Sequence, residues 1–202
     1  MRHYFINESH TQDDYFAFDE KVQGIGFSFD SCNDVFSKNQ VDYGSKVLID
    51  AVVKHKDRYF GSILDVGCGY GAISIVLSKC IPQCEFTLCD INSTAVELAN
   101  KNKIKNNCKN IVKVIESDLY TNVSGTFDHI VSNPPIKTGK KVLIDLITTG
   151  YEKLNVGGSM TLVIKKNYGA DSAKKLMETI FKNSEILSRD KGFYILYSKK
   201  VG

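Results

Sequence analysis

Long hydrophobic runs are missing from this chain. None of its 202 residues fall in an uninterrupted apolar stretch of about 18, which excludes a membrane-spanning helix. The N-terminus, MRHYFINESHTQDDY, has neither an apolar core segment nor a small-residue cleavage site, so a cytoplasmic protein without a secretory leader is expected. No segment recurs with a period of roughly 20–50 residues, which excludes a solenoid. A strong charge of one sign is absent too: the formal net charge of +3 is too small to require a nucleic-acid partner. The six cysteines lack paired C-x-x-C spacing, and Cys80, Cys84 and Cys89 have no histidine beside them. Free thiols are therefore expected, with no metal and no disulfide framework. What is present is ordinary globular composition, 43% apolar and 24% charged, which excludes intrinsic disorder as the main state.

Charge is unevenly distributed. Residues 1–60 hold more acidic than basic residues, and the positive excess belongs to 61–202. Over that longer stretch, strand-like and helix-like segments alternate. SILDVG (62–67), CEFTLCD (84–90), NIVKVIES (110–117), TFDHIVSN (126–133) and GSMTLVIKK (158–166) read as strands. Between them lie helical stripes: Ile73, Val76, Leu77, Cys80 and Ile81; then Ala95, Leu98 and Ala99, with Thr94 and Glu97 spaced as a capping box; then Leu143, Leu146, Ile147, Tyr151 and Leu154; then Leu176, Met177, Ile180 and Phe181. SEILSRD (184–190) and GFYILYSKK (192–200) are joined by a turn too short for a parallel crossover, so they form an antiparallel hairpin. The expected fold is α/β: a seven-stranded, mostly parallel sheet with the last strand antiparallel and helices on both faces. Residues 41–55 read as a helix leading into the first of these strands. Residues 1–40 are expected to form a small N-terminal extension or cap, with VQGIGFSFD (22–30) extended, and 41–202 the main domain.

In such sheets ligands bind beyond the carboxyl ends of the strands, where strand order reverses. The first strand runs there into Asp65-Val66-Gly67-Cys68-Gly69-Tyr70-Gly71. The stretch fits two patterns: a dinucleotide fingerprint, Gly67-x-Gly69-x-x-Ala72, and a methyltransferase loop, Asp65-x-Gly67-x-Gly69-x-Gly71. Asp90, closing the next strand, binds ribose hydroxyls in either. Asp65 favours the second pattern, because its carboxylate would repel a pyrophosphate but suits the α-ammonium of a methionine moiety. Asp118, closing the third strand, is placed to accept from an adenine amino group.

The chain has three prolines, and two are adjacent in Ser132-Asn133-Pro134-Pro135-Ile136, directly after the fourth strand. Proline fixes φ and carries no N–H, so this is a stiff turn. An exocyclic or amide nitrogen is a weak nucleophile because its lone pair is delocalised. Hydrogen bonds from it to the Asn133 side-chain oxygen and the Pro134 carbonyl favour a pyramidal nitrogen and stabilise the charge that grows on it.

LDVGCGYG, CDIN, ESDL and SNPPI, in this order and spacing, resemble the class I S-adenosylmethionine-dependent methyltransferases. More narrowly, they resemble the methyltransferase small domain family that includes small-subunit ribosomal RNA guanine-N2 methyltransferases. The segment 34–52 is similar to the lead-in of that family, and the resemblance covers about 34–200. It implies a Rossmann-like fold and S-adenosylmethionine as cofactor. Gly67, Gly69 and Gly71 would line the methionine moiety with Asp65 beneath it. Asp90 would hold the ribose and Asp118 the adenine, with Ile91 and Leu119 also against the cofactor. Phe36, Ser37 and Lys38 would close over the cofactor. Asn133 would border it while gripping the target amine with Pro134, and Pro135 and Ile136 would complete that corner. Two departures stand out. Many amino-methylating relatives have Tyr or Phe where this chain has Ile136. Larger ribosomal members carry an extra N-terminal copy of the fold, for which residues 1–61 are too few.

The basic residues sort by sheet edge. Lys101, Lys103, Lys105, Lys109 and Lys113 fall at the edge away from the glycine loop and read as a solvated face. Lys137, Lys140, Lys141, Lys165, Lys166, Arg189 and Lys191 fall on the loop's own edge, where they suit phosphate contacts to RNA. The favoured expectation is methylation of an exocyclic amine of ribosomal RNA, guanine N2 above others. A glutamine amide in a protein, a nicotinamide-dependent oxidoreductase and a non-catalytic RNA-binding domain stay open at this point.

Overall fold

The structure is a computed structural model and describes residues 15–33, 35, 39–134 and 139–202. In chain order, a hairpin of β1 (Tyr15–Val22) and β2 (Ile25–Cys32) comes first. Next are α1 (Tyr43–Lys54), β3 (Ser62–Val66), α2 (Ala72–Cys80), β4 (Glu85–Asp90), α3 (Ser93–Lys105), β5 (Ile111–Glu116) and β6 (Phe127–Ser132). Finally come α4 (Lys140–Lys153), β7 (Leu154–Lys165), α5 (Ala170–Phe181), β8 (Glu185–Asp190) and β9 (Phe193–Lys199).

Period-two alternation builds the main sheet. Ile63, Val131, Val163 and Ile195 enter one core with α1, α2 and α3. Their neighbours Leu64, Ile130, Leu162 and Leu196 enter the other with α4 and α5. Each of these four strands is thus apolar on both faces, as a sheet sandwiched between helices requires. The order is β5-β4-β3-β6-β7-β9-β8. Pairing is parallel from β5 to β7, and β9 runs antiparallel to both its neighbours. The seven strands, the reversed last strand and the two helical layers agree with the sequence expectation. This is the Rossmann-like arrangement.

Two local details differ from that expectation. The cap of α3 is Asn92, whose side chain accepts from the N–H groups of Thr94 and Ala95. Thr94 lies inside the helix, so the cap falls two residues earlier than expected and, with Ala95 at N3, it is not a capping box. The expected extended piece at 22–30 is one arm of a full hairpin. Its two-residue turn puts Gln23 and Gly24 at φ 52° and 78°, the left-handed pair that matches strand twist.

The hairpin is fastened by side chains acting as a strand edge. Asn102 of α3 accepts from Asp30 N–H (2.7 Å) and donates to Asp30 O and Tyr70 O (both 2.9 Å). One turn later Asn106 exchanges the same pair of bonds with Ser28. Phe18 and Phe29 pack against the Tyr70 ring, which follows Gly69. The N-terminal hairpin therefore braces the glycine loop from behind.

Candidate active site

β3 pairs with β4 on one side and with β6 on the other. The chain leaves β3 outward to β4 and β5, then returns to β6, so the strand order reverses beside β3. The loops leaving β3 and β6 at their carboxyl ends flank that crevice. They are the glycine loop and the Asn133-Pro134 corner.

The glycine loop turns on left-handed backbone. Gly67 and Gly69 have φ of 72° and 55°, and a Cβ on either would meet nothing within 4 Å. The left-handed conformation favours glycine, and the open space leaves room for a ligand against the backbone. Gly71 also has positive φ, but its Cβ would meet Ile75, Ala99 and Leu88 at 3.2–3.4 Å. It serves the packing of α2 and α3 on β4 rather than an open surface.

The acidic residues have distinct positions. Asp65 is fully buried. Its Oδ2 accepts from the Ser74 hydroxyl at 2.7 Å, while its Oδ1 has no partner. Burial pushes its carboxyl up to about 7, with Asp90 adding to the rise and Ser74 opposing it. Asp90 ends β4 and pins the glycine loop: its Oδ2 accepts from Gly69 N–H at 2.8 Å and its Oδ1 from Asn92 N–H at 2.9 Å. Burial raises its carboxyl as well, against those backbone donors. Ile91 beside it is exposed. Asp118 is exposed and lies two residues beyond the end of β5, in the turn rather than on the strand. Leu119 next to it is half-buried with φ 47°, and its carbonyl accepts from the Ser117 hydroxyl.

The corner after β6 is tied into its surroundings. The Ser132 hydroxyl donates to Val66 O at 2.6 Å, joining the ends of β6 and β3. Asn133 Nδ2 donates to Asp42 Oδ2 at 2.9 Å and to Ser45 Oγ at 3.0 Å. Pro134 is buried. Phe36, Ser37, Lys38, Pro135, Ile136 and Lys137 lie outside the described residues. Asp42 and Ser45 carry no motif of their own in the sequence; a residue that caps a helix looks the same whether or not it also grips a partner from a distant strand.

The rim beyond this corner is basic and aromatic. Tyr43 and Phe193 have ring centroids 5.8 Å apart. Lys191 lies over the Tyr43 ring at 4.7 Å, Lys165 over Phe193 at 5.5 Å and Arg189 over Tyr194 at 5.0 Å. Lys140 and Lys141 open α4 and Lys166 follows β7, all three exposed.

Residues 26–197 match the methyltransferase small domain. The chain belongs to the methyltransferase small domain family. A relative from Bacillus subtilis (strain 168), the uncharacterized protein YbxB, is 37% identical over 201 residues and 98% of each chain. Ribosomal RNA small subunit methyltransferase C of Serratia proteamaculans (strain 568) is 37% identical over 133 residues, 64% of this chain and 37% of that one. Its counterpart in Cronobacter sakazakii (strain ATCC BAA-894) is 33% identical over 172 residues, 83% and 48% of the two chains. The chain thus spans less than half the length of these ribosomal RNA methyltransferases, but nearly all of YbxB. Among solved structures, the Thermus thermophilus 16S rRNA N2 G1207 methyltransferase in complex with AdoMet and guanosine superposes with a TM-score of 0.80. Identity is 24%, over 92% of this chain and 50% of that one. A ribosomal protein L11 methylase from Lactobacillus delbrueckii subsp. bulgaricus gives 0.67 at 20% identity, over 80% and 81%. At these identities the two structures report on fold.

As a small-domain methyltransferase the protein uses S-adenosylmethionine. The site fits that group. It has an unpartnered buried carboxylate oxygen for a cation and a glycine-walled opening for close backbone approach. Asp65, buried at the head of the glycine loop, suits a cation better than a pyrophosphate, which favours the methyltransferase pattern over the dinucleotide pattern in the same glycines. Among the described residues, no helix is long and apolar enough to cross a membrane.

Proposed function

We propose that this methyltransferase acts on an exocyclic amine of ribosomal RNA, with guanine N2 as the acceptor. One observation carries the acceptor chemistry. Both hydrogens of the Asn133 amide are taken, one by Asp42 and one by Ser45. The amide therefore has only Oδ1 to offer a substrate, and Oδ1 only accepts. With the Pro134 carbonyl as second acceptor, the corner suits an –NH2 group, which has two hydrogens where a hydroxyl has one.

When bound, S-adenosylmethionine supplies an electrophilic methyl group on a sulfonium sulfur. The residues assigned to hold it are Asp65 for the ammonium, Gly67 and Gly69 for the methionine moiety, and Asp90 for the ribose. Ile91 and Leu119 flank the adenine and Asp118 takes its amino group, with 36–38 as the cover. Gly71 supports the loop from its packed side. Asn133 Oδ1 takes one hydrogen of the target amine, which localises the nitrogen lone pair and stabilises positive charge as it builds there. No strong base is needed, because the proton becomes acidic once the nitrogen is alkylated and passes to water. Pro135 is assigned to keep the corner stiff, as proline does, and Ile136 to give the base an apolar contact. Lys137, Lys140, Lys141, Lys165, Lys166, Arg189 and Lys191 contact RNA phosphates. The two lysines at the start of α4 support this, since cations are disfavoured at a helix N-terminus unless an anion joins them.

The test is transfer of radiolabelled methyl from S-adenosylmethionine onto separate RNA and protein pools. The expected result is label in RNA as N2-methylguanosine. Asn133→Ala should lower turnover by about 100-fold, on the scale of losing one preorganised hydrogen bond to developing charge, with cofactor affinity unchanged. Label on a glutamine amide, or undiminished transfer by Asn133→Ala, would overturn the reading.

A further inference from the structure

A primary amide can turn over, exchanging a donor for an acceptor at the same place. If Asn133 turned, its N–H groups would face the target amine and repel it. Something must select one orientation, and the contacts around Asn133 identify it. Ser45 Oγ both donates and accepts, so it would satisfy either orientation. Asp42 Oδ2 only accepts, and at 2.9 Å it requires Nδ2 to point its way.

Asp42 is itself held firmly. The same Oδ2 accepts from Ser45 N–H at 3.1 Å as the N-cap of α1. Its backbone carbonyl accepts from Lys46 N–H at 3.0 Å. The next residue but one is Gly44, and a Cβ there would stand 3.0 Å from both Asp42 Oδ2 and the Phe193 ring. Glu20 of β1 accepts from Val41 N–H at 2.6 Å and pairs with Lys46 at 2.5 Å, bracing the residues on either side.

We propose that Asp42 is a positioning residue for methyl transfer: through Asn133 it fixes the amide orientation and strengthens Oδ1 as an acceptor. A carboxylate-to-amide hydrogen bond is charge-assisted and polarises the amide, so electron density shifts onto Oδ1. Oδ1 is the atom that faces the growing charge on the substrate nitrogen. Ser45 takes the second hydrogen and closes the alternative of a free N–H. The start of α1 thus does two jobs, capping a helix and setting the polarity of the acceptor corner. This rests on the role given above to Asn133.

The experiment separates the two jobs. Asp42→Ser keeps a good N-cap, but its short side chain cannot reach Asn133. Asp42→Asn keeps the shape and loses the charge. With the full chain, labelled S-adenosylmethionine and an RNA substrate, Asp42→Ser should lower kcat by about 10- to 100-fold. Asp42→Asn should fall between it and the parent. For both, cofactor Kd and melting temperature should stay at parental values. In an Asn133→Ala background, Asp42→Ser should add nothing, because the amide through which it acts is gone. Parental kcat in Asp42→Ser, an equal drop in both backgrounds, or a drop that tracks melting temperature would overturn the proposal. If Asn133→Ala is impaired while Asp42→Ser is not, this inference alone falls. If Asn133→Ala is not impaired, the acceptor-corner reading falls with it.

Discussion

At the residue scale the sharpest consequence concerns Asp65. Burial raises its carboxyl to about 7, so in the free protein it is substantially protonated below neutrality. An ammonium ligand needs the carboxylate. Cofactor affinity should therefore rise with pH up to about 7, by up to tenfold per pH unit, and fall again above about 8, where an α-ammonium loses its proton. Titration calorimetry across this range checks the prediction, and a flat profile would contradict it. Stability follows the same linkage. A carboxyl raised on folding binds protons more tightly in the native state, so free-protein stability from this group is greatest at low pH. It falls as pH rises from about 4 through 7. The position of Asp65 is legible as the first letter of the D-x-G-x-G-x-G spacing. Its orphan oxygen is not, because the partner of Oδ2, Ser74, comes from the buried face of α2.

At the element scale the informative feature is the junction between α3 and the N-terminal hairpin. Asn102 is fully buried and makes three hydrogen bonds. Asn102→Ala would leave both backbone polar groups of Asp30 and the Tyr70 carbonyl without these bonds. The expected cost is about 2–4 kcal/mol, from more than one buried group losing its bond. Faster hydrogen exchange should concentrate in β2 and around Tyr70, and exchange unchanged there would contradict this role. The sequence makes α3 itself legible through Ala95, Leu98 and Ala99. Asn102 continues that same stripe, but a polar residue on an apolar stripe does not announce what it meets. β1 is hidden in the sequence for a related reason: Asp19, Glu20 and Lys21 dilute its alternation, and its stability comes from pairing with β2 and from Glu20 reaching Val41 and Lys46. Asn92 shows the limit of local cap patterns, since three consecutive residues, Asn92, Ser93 and Thr94, offer plausible oxygens and backbone geometry chooses the first.

At the scale of the whole molecule, strand–helix alternation is enough to anticipate the main sheet and its reversed last strand, because crossover rules leave few ways to connect such a series. The same rules bring the glycine loop and the Asn133 corner to one edge. What they leave open is how that edge is held together, namely Ser132 to Val66, Asn133 to Asp42 and Gly69 to Asp90, all contacts between residues far apart in the chain. The sheet also divides the positive charge into two groups. RNA affinity should fall with salt, and replacing Lys165, Arg189 and Lys191 by alanine should flatten the log–log slope by about 2, at roughly 0.7 per phosphate contact for a single strand. Replacing Lys103, Lys109 and Lys113 at the opposite edge should leave the slope unchanged. Equal effects from both sets would mean that RNA is not bound at the carboxyl edge.

The most direct test is a crystal structure of the full chain with S-adenosylhomocysteine and guanosine. The account predicts the exocyclic amine within about 3 Å of Asn133 Oδ1, ordinary hydrogen-bond distance, on the side facing the cofactor sulfur, with Asn133 Nδ2 still on Asp42. An amine held elsewhere, or an Asn133 amide turned away from it, would contradict the account.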